Sequence, residues 1–291
     1  MSIQATAHVN AMRKPRDDEV DVFGLTHPGK VRKENQDHFL ICSLRKQVEV
    51  HHTSLPAFKE MRQEGDRMAF LAMVADGVGG GSRGEAASRL VVETVTRYVL
   101  ESMHCYHDAS TTEDQTFHDA LQEAAWRCHA SVAAEAEADP SRRGMATTLT
   151  LWLAVWPRAY LLQVGDSRYY LYRHGELKKI SRDQTMAQEL VDQGVLAMST
   201  AMNSKWAHVL SSAIGGQQTA PIVTRMDQEW DNIYLLCSDG LTKHVPEERI
   251  AERLGDWTNA KDVAEKLLQD ALDGGGSDNV TILVGRDTKK E

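Results

Sequence analysis

The sequence predicts an α+β fold in which antiparallel sheets pack together and helices cover the outside. Three features support this expectation. Apolar runs of strand length occur in groups, amphipathic helices follow these groups singly or in pairs, and strands do not alternate strictly with helices. A doubly wound parallel sheet requires such alternation, so that architecture is disfavoured.

Short apolar runs define the predicted strands. In chain order they are Val22–Thr26, His38–Ser43, Arg67–Ala75, Ala146–Val155, Ala159–Val164, Arg168–Arg173, Ile222–Met226, Asn232–Cys237 and Val280–Val284. Apolar residues at helical spacing predict helices over Glu85–Glu101, Glu113–Ala138 and Ala260–Leu272. The first two helices follow each other directly.

The 291-residue chain is expected to form a single domain over residues 20–287. Residues 1–19 are expected to be a flexible lead-in, and residues 288–291 a short tail. No linker rich in Pro, Gly or Ser, no repeat and no low-complexity stretch divides the chain. An apolar content of 42% is sufficient for a substantial core.

Composition also excludes several functional classes. A net charge of -9 argues against a nucleic-acid partner, because binding a polyanion requires a basic surface. The N-terminus lacks the apolar stretch of a signal peptide, and no later run approaches the roughly 18 apolar residues of a membrane span. The four cysteines are widely separated and include no CxxC pair. This pattern favours a reducing cytoplasm.

Aspartates recur where predicted strands end or begin. Asp76, Asp166 and Asp239 each follow an apolar run and precede a small or turn-forming residue, whereas Asp37 and Asp278 come just before a run. Each one alone is explained as a turn residue, because Asp accepts local backbone hydrogen bonds and a following Gly allows positive φ. Together they predict a cluster, because neighbouring sheet edges can bring such positions to one place.

A cluster of carboxylates requires compensating charge, because like charges repel. A divalent cation supplies that charge, and oxygen ligands without a Cys or His cluster favour Mg²⁺ or Mn²⁺ over Zn²⁺. Several carboxylates can hold two such ions, which lower the pKa of bound water and stabilise both oxygens of a phosphoryl transfer. Hydrolysis by this route requires no nucleophilic side chain.

Other kinds of phosphate chemistry are not indicated. No cysteine is followed six positions later by arginine, so the loop of cysteine phosphatases is missing, and so is the GxxxxGK[ST] pattern of nucleotide-binding proteins. Arg32, five residues before Asp37, is a candidate phosphate ligand, because guanidinium binds phosphate bidentately. An arginine taken alone is more often a surface residue.

The segment Gly79–Gly84 matches the GxGxxG pattern of dinucleotide-binding folds. Asp76 argues against that function, because its carboxylate would lie where a pyrophosphate approaches. The strands that follow also do not form repeated βαβ units. We therefore attribute the glycines to a tight backbone path around a metal ligand, with a helix that starts near Gly84 and Glu85.

These segments together resemble the protein phosphatase 2C family of metal-dependent phosphatases, in its compact bacterial form. The resemblance is carried, in the family's order, by RKENQD (32–37), VADGVGG (74–80), GMATT (144–148), VGDSR (164–168), LCSDGL (236–241) and SDNVT (277–281). It extends from about Phe23 to Val284. Each segment alone is weak, whereas the combination is specific.

The resemblance implies a four-layer α-β-β-α sandwich, with central antiparallel sheets and a channel at one edge that holds two or three Mn²⁺ or Mg²⁺ ions. The metal ligands that it implies are Asp37, Asp76, Gly77, Asp166, Asp239 and Asp278. The catalytic residues that it implies are Arg32, Asp37, Asp76 and Asp239.

The implied roles of these residues differ. Asp76 would bridge two ions, Gly77 would offer its backbone carbonyl, and Asp37 would act mainly through metal-bound water. Asp166 and Asp239 would share a third, weaker ion, and Arg32 would hold the phosphate of the substrate.

The implied function is hydrolysis of phosphoserine and phosphothreonine on proteins by direct attack of metal-bound water. The expected partners are phosphorylated proteins that a Ser/Thr kinase produces, with the kinase itself as a further candidate, and the protein is expected to be a monomer. Two alternatives remain open, namely a catalytically silent phosphoprotein-binding regulator and a small-molecule phosphomonoesterase. Silent members generally lose metal ligands, whereas Asp76, Asp239 and Asp278 are all present here.

Two positions depart from the family pattern. Gln36 stands where many members have glutamate, and Val78 stands where animal members have a histidine proposed as general acid. The sequence therefore names no proton donor for the leaving group. Residues 182–216 correspond to a mobile flap beside the channel in bacterial relatives, although Gln188, Leu190 and Val191 fit an ordinary short helix equally well.

Overall fold

The fold of the protein is described by a computed structural model that covers residues 13–45, 67–80, 82–101, 114–202 and 204–290. In chain order its strands are β1 (Val20–His27), β2 (Asp37–Arg45), β3 (Arg67–Val78), β4 (Ala146–Thr147), β5 (Leu149–Val155), β6 (Arg158–Val164), β7 (Arg168–Arg173), β8 (Glu176–Lys179), β9 (Ile222–Asp227), β10 (Ile233–Cys237) and β11 (Val280–Asp287). The helices are α1 (Ser82–Glu101), α2 (Asp114–Ala138), α3 (Met186–Asp192), α4 (Met198–Met202), α5 (Asp239–Thr242), α6 (Glu247–Gly255) and α7 (Ala260–Asp273).

The described strands form two antiparallel sheets. The first sheet has the order β1-β11-β10-β7-β8, and the second has the order β2-β3-β5-β6-β9, with β4 paired to the end of β3. Helices α1 and α2 pack on the second sheet, and helices α6 and α7 pack on the first. The predicted α+β class and the α-β-β-α order of layers are confirmed.

Three apolar cores separate these four layers. The core between the second sheet and its helices includes Leu71, Met73, Val91 and Cys128. The core between the first sheet and its helices includes Leu235, Ile250, Val263 and Ile282. A third core between the two sheets includes Ala72, Val74, Trp152 and Tyr234. Successive residues of one strand face opposite cores, which explains why the strands read as continuous apolar runs.

Several predicted strand bounds differ from the observed ones by one to three residues, and two differences concern β3 and β5. Strand β3 does not end at Ala75 but continues to Val78, because Gly77 and Val78 pair with Thr147 and Ala146 of β4. The predicted strand Ala146–Val155 is divided into β4 and β5 at Thr148, where the Thr148 hydroxyl accepts a hydrogen bond from the backbone N–H of Asp76 at 3.0 Å. Both differences occur next to the predicted metal ligands.

The predictions did not include strand β8 or helices α4, α5 and α6. Strand β8 is polar, with alternating exposed and half-buried residues, so it carries no apolar run. It pairs with β7 through a tight turn at His174 and Gly175, which both have positive φ. Helix α6 spans only nine residues, so its apolar stripe, with Ile250 and Leu254 buried one turn apart, is too short to stand out among the charged residues around it.

Residues 13–19 and 288–290, which lie just outside the predicted domain of residues 20–287, contact each other. Arg13 forms an ion pair at 2.6 Å with the buried carboxylate of Glu19, whose backbone carbonyl accepts a hydrogen bond from Thr288 at 2.8 Å. Residues 1–12 of the predicted lead-in lie outside the described residues. No helix in the described part of the chain is both long and apolar enough to span a membrane.

Candidate metal centre

Strand register brings the predicted site residues to the same edge of both sheets. In the second sheet Asp37, the first residue of β2, lies opposite Asp76 of β3. In the first sheet Cys237, the last residue of β10, lies opposite Ile282 near the start of β11, so Asp239 and Asp278 flank the same edge. The structure therefore gathers the predicted aspartates in one cluster made by both sheets.

Asp37 connects the two sheets at this edge. Its Oδ2 atom accepts hydrogen bonds from the hydroxyl groups of Ser238, which directly follows β10 of the first sheet, and Thr281 of β11, both at 2.7 Å. Its Oδ1 atom is buried and accepts no hydrogen bond from any described residue. Burial raises the pKa of Asp37 to about 6 against the opposing effect of the two hydroxyl groups, and the charge of Asp239 adds to the increase.

Asp76 lies within strand β3 and is fixed through its backbone. Its carbonyl oxygen accepts hydrogen bonds from the Thr147 hydroxyl at 2.8 Å and from the Thr148 N–H at 2.9 Å. Burial and the neighbouring carboxylates of Asp37, Asp239, Asp166 and Asp278 raise the pKa of Asp76 well above its ordinary value. Carboxylates that repel each other in this way are suited to share a cation.

Gly77 leaves no room for a side chain. A Cβ atom there would lie 2.3 Å from the carbonyl oxygen of Gly84 at the start of α1, and 2.7 Å from that of Gln36. Gly77 and Gly84, the last glycine of the GxGxxG segment, thus allow helix α1 to begin directly against the strand that carries Asp76. This contact agrees with the predicted tight backbone path, which needs no dinucleotide.

Asp239 and Asp278 lie on two segments that are distant in the sequence but in direct contact in the fold. Gly240 follows Asp239 in helix α5, and a Cβ atom at Gly240 would lie 1.9 Å from the backbone oxygen of Asn279. The Asn279 side chain donates hydrogen bonds to the carbonyl oxygens of Pro28 and Glu34, at 3.0 and 2.9 Å. Asn279 thereby attaches the loop that carries Arg32 to the start of β11, a role that sequence reasoning did not identify.

Two cations contact the carboxylate of Asp278. Arg32 binds it bidentately, with Nε to Oδ1 at 2.8 Å and Nη2 to Oδ2 at 3.0 Å. Lys243 lies 2.6 Å from Asp278 Oδ2 and 2.6 Å from Asp239 Oδ2. Burial opposes the effect, but Arg32 and Lys243 together lower the pKa of Asp278 below its ordinary value. Lys243 is the second contributor that sequence reasoning missed, because a lysine four residues after an aspartate is typical of a helix surface.

Asp166 lies at the flank of the cluster, after strand β6, and is 8% exposed. Burial and the charges of Asp239 and Asp183 raise its pKa to about 8, although Lys243 and Arg168 oppose the increase. Arg168 pairs with Asp183, with Nη2 to Oδ2 at 2.7 Å. Asp166 therefore belongs to the same carboxylate cluster but has a different set of charged neighbours.

The donor set fits a hard divalent cation, although the side chains are not closed around one. Among the described residues, no group of three or more His, Cys, Asp or Glu side chains forms a metal site as they stand. The side chains of Arg32 and Lys243 supply the positive charge that contacts Asp278. The buried Oδ1 of Asp37 without a hydrogen-bond partner, together with several carboxylates that raise each other's pKa, is the pattern that oxygen-liganded Mg²⁺ or Mn²⁺ relieves.

The predicted flap region contains helices α3 and α4. A cavity of about 80 Å³ separates these helices from the cluster, and its lining includes Asp166, Gln188, Met198, His208 and Lys243. The short-helix alternative for Gln188, Leu190 and Val191 is confirmed by α3, which Thr185 caps by accepting a hydrogen bond from the N–H of Gln188 at 3.2 Å. That this region is mobile stays a prediction.

Comparison with known proteins identifies the family. The family profile described as Protein phosphatase 2C matches residues 57–274. This chain belongs to the protein phosphatase 2C family. The resemblance seen in the sequence motifs is thereby confirmed.

Several members of the protein phosphatase 2C family are similar to this chain. The serine/threonine protein phosphatase PstP of Mycobacterium tuberculosis is 37% identical over 219 residues, which cover 74% of this chain and 40% of PstP. The serine/threonine phosphatase Stp of Listeria innocua is 28% identical over 215 residues, covering 74% of this chain and 83% of Stp. The crystal structure of the PstP catalytic domain in complex with two manganese ions has a TM-score of 0.71 and 31% identity, covering 93% of this chain and 99% of that domain. The matched region thus spans less than half of PstP itself.

Proposed function

We propose that this protein is a metal-dependent phosphoprotein phosphatase that hydrolyses phosphoserine and phosphothreonine esters and uses two or three Mn²⁺ or Mg²⁺ ions. The main support is that aspartates from both sheets lie together at one edge, with Arg32 beside them, in a chain of the protein phosphatase 2C family. The activity named for PstP and Stp supports the reaction class. The two manganese ions bound to the PstP catalytic domain support the cofactor.

The ions would be held by Asp76, the carbonyl of Gly77, Asp239 and Asp278, and they supply charge stabilisation and activation of water for attack on phosphorus. Asp37 accepts protons or hydrogen bonds at the edge of the cluster, because its Oδ1 is the buried atom that no described donor contacts. Asp166 would hold a further ion together with Asp239.

Arg32 is proposed to bind the phosphate of the substrate. It lies in the loop between β1 and β2, and its side chain is 55% exposed although it contacts Asp278. An exposed guanidinium beside the cluster can exchange a carboxylate for a phosphate with the same bidentate geometry. Asp278 would then be free to bind a metal ion.

We also propose the partners, the location and the oligomeric state of this protein. Phosphoprotein substrates imply a Ser/Thr kinase that supplies them, and that kinase is itself a candidate substrate. The thiols of Cys42, Cys128 and Cys237 are free, which supports a reducing, cytoplasmic location. We further propose that the protein acts as a monomer.

The decisive experiment measures phosphate release from a phosphothreonine peptide by the purified full chain. The expected result is turnover with Mn²⁺, none with EDTA, and a loss of at least about 100-fold in kcat/KM for Asp239→Asn with Mn²⁺. Turnover that persists in EDTA, or an Asp239→Asn variant as active as wild type, would exclude the proposed mechanism.

Two further measurements separate the alternatives. Faster hydrolysis of sugar phosphates than of phosphopeptides would favour a small-molecule phosphomonoesterase. Saturable binding of the phosphopeptide without turnover in excess Mn²⁺ would favour a silent phosphoprotein-binding regulator.

A further inference from the structure

Lys243 lies inside the carboxylate cluster rather than on its rim. It caps the C-terminus of helix α5, one turn after Asp239, and its side chain is only 20% exposed. The Nζ atom is 2.6 Å from Asp239 Oδ2 and 2.6 Å from Asp278 Oδ2, so it bridges two carboxylates from different chain segments. The protein therefore carries an internal cation between two of its proposed metal ligands.

An ammonium group and a metal ion compete for the same atoms. A divalent ion bound by Asp239 and Asp278 needs the oxygen lone pairs that Lys243 occupies, and two cations at that separation repel each other. Arg32 contacts Asp278 as well, but it reaches no atom of Asp239 within ion-pair distance. Lys243 is thus the group that links the pair.

We propose that Lys243 is a built-in competitor of the metal ion. Its ammonium group stabilises the Asp239–Asp278 pair in the metal-free protein and leaves the pair when a divalent ion binds, so it raises the metal concentration that the site requires. This inference rests on the proposed function, because it assumes that Asp239 and Asp278 are metal ligands.

The surroundings of Lys243 allow such a movement. Its side chain borders the cavity of about 80 Å³ beside helices α3 and α4, which is also lined by Asp166 and Asp183. A flexible four-carbon side chain can turn into this space toward Asp183, whose carboxylate also pairs with Arg168. Lys243 can therefore leave Asp239 and Asp278 without losing all compensating charge.

The test is calorimetric titration of Mn²⁺ into the metal-depleted full chain. The Lys243→Met variant keeps the length of the side chain but removes its charge, and it is expected to bind Mn²⁺ at least about tenfold more tightly than wild type. Lys243→Arg keeps the charge and is expected to bind like wild type. The matched control is Lys266→Met on α7, where Lys266 forms a similar pair with Asp262 at 2.7 Å away from the cluster; its Mn²⁺ affinity is expected to be unchanged.

Thermal unfolding of the metal-depleted proteins gives a second readout. Lys243→Met is expected to unfold at a lower temperature than wild type without metal, and the difference is expected to vanish or reverse at saturating Mn²⁺. If Lys243→Met does not fold without metal, Lys243→Gln is used for both measurements.

The outcomes distinguish this inference from the proposed function. Equal or weaker Mn²⁺ binding by a folded neutral variant of Lys243, with normal binding by wild type, would overturn the competitor role and leave the proposed function intact. Failure of wild type and variants alike to bind Mn²⁺ would overturn both.

Discussion

The position of Asp37 illustrates how single residues hold the candidate metal centre. Two hydroxyl groups from the opposite sheet contact Oδ2, whereas Oδ1 has no donor among the described residues. A buried carboxylate that is only half satisfied is costly unless another group compensates it. The hydroxyl groups therefore orient the Asp37 carboxylate and leave its Oδ1 atom available to a ligand at the sheet edge.

Thr281→Val removes one of these hydroxyl groups at nearly constant volume. The free energy of unfolding is expected to fall by about 1–3 kcal/mol, because the buried Asp37 loses a donor. Mn²⁺ affinity is also expected to fall, since Asp37 is less well oriented. Urea unfolding and calorimetry measure the two effects.

The control for this prediction is Thr150→Val. The buried hydroxyl of Thr150 donates to the carbonyl oxygen of Ser167 at 3.0 Å and contacts no predicted metal ligand. The Thr150→Val variant is expected to be less stable than wild type but to bind Mn²⁺ with the same affinity. Equal effects of the two variants on Mn²⁺ affinity would contradict the role assigned to Thr281.

Arg32→Lys tests the proposed phosphate contact. Lysine keeps the charge but cannot form two parallel hydrogen bonds to one phosphate, so KM for a phosphothreonine peptide is expected to rise about tenfold. Steady-state kinetics in saturating Mn²⁺ separates KM from kcat. Arg286→Lys, which alters an arginine paired with Asp231 at 3.2 Å, is the control and is expected to leave KM unchanged. An unchanged KM in Arg32→Lys would assign phosphate binding to another group.

At the scale of elements, the site depends on the contact between the start of α5 and the start of β11. Gly240 and Asn279 touch so closely that only glycine fits at position 240. This contact fixes the separation of Asp239 from Asp278. Helix α5 is short, so its placement relies on that contact more than on its own hydrogen bonds.

Gly240→Ala is expected to push α5 away from β11. The expected result is a loss of at least about 2 kcal/mol in the free energy of unfolding and a marked loss of Mn²⁺ affinity, because a methyl group cannot lie 1.9 Å from an oxygen atom. Chemical denaturation and calorimetry provide the measurements. Gly285→Ala is the matched control, since a Cβ atom there has its nearest neighbour at 3.6 Å. A Gly240→Ala protein with wild-type stability would show that α5 can shift freely.

Helices α6 and α7 are joined by an ion-pair network around Asp270. Arg249 and Arg253 contact its carboxylate at 3.0 and 2.7 Å, and the hydrogen bond from Arg253 is the largest cause that lowers the pKa of Asp270 to about 2. The ordinary pKa is 3.8, so the folded state retains the charged form longer than the unfolded state. The stabilisation is therefore complete above about pH 4 and is lost as the pH falls toward 2.

Asp270→Asn tests this pH dependence. The variant is expected to be less stable than wild type at pH 6, and the difference is expected to narrow at pH 3, as measured by urea unfolding at both values. Glu265→Gln, on the same helix, is the control and is expected to show a small difference at both pH values. If the loss of stability in Asp270→Asn instead grows as the pH falls, the ion pairs of Asp270 are not the source of the pH dependence.

At the scale of the whole molecule, much of the fold was predictable because each sheet is buried on both faces. Strands such as β3 and β10 therefore read as continuous apolar runs, and the aspartates at their ends stand out. Strand β8 was not predicted because it lies at a sheet edge and consists of polar residues, and helix α6 was not predicted because its apolar stripe covers only nine residues.

The clustering of the aspartates was predictable from the sequence, but the contacts between them and their neighbours were not. The positions of Asp37, Asp76, Asp239 and Asp278 follow from the motifs, whereas the partners of those carboxylates depend on contacts between distant segments. Lys243 illustrates the difference, because only the tertiary structure shows that it bridges Asp239 to Asp278.

Anomalous diffraction at the manganese edge, from crystals grown with Mn²⁺, tests directly whether the carboxylate cluster binds metal ions. We expect two strong peaks about 3.5–4 Å apart, with Asp76 contacting both and with Asp239 and Asp278 as further ligands. Crystals that show no peak near these aspartates, or a peak only elsewhere on the surface, would contradict the claim that this carboxylate cluster is the metal centre of the protein.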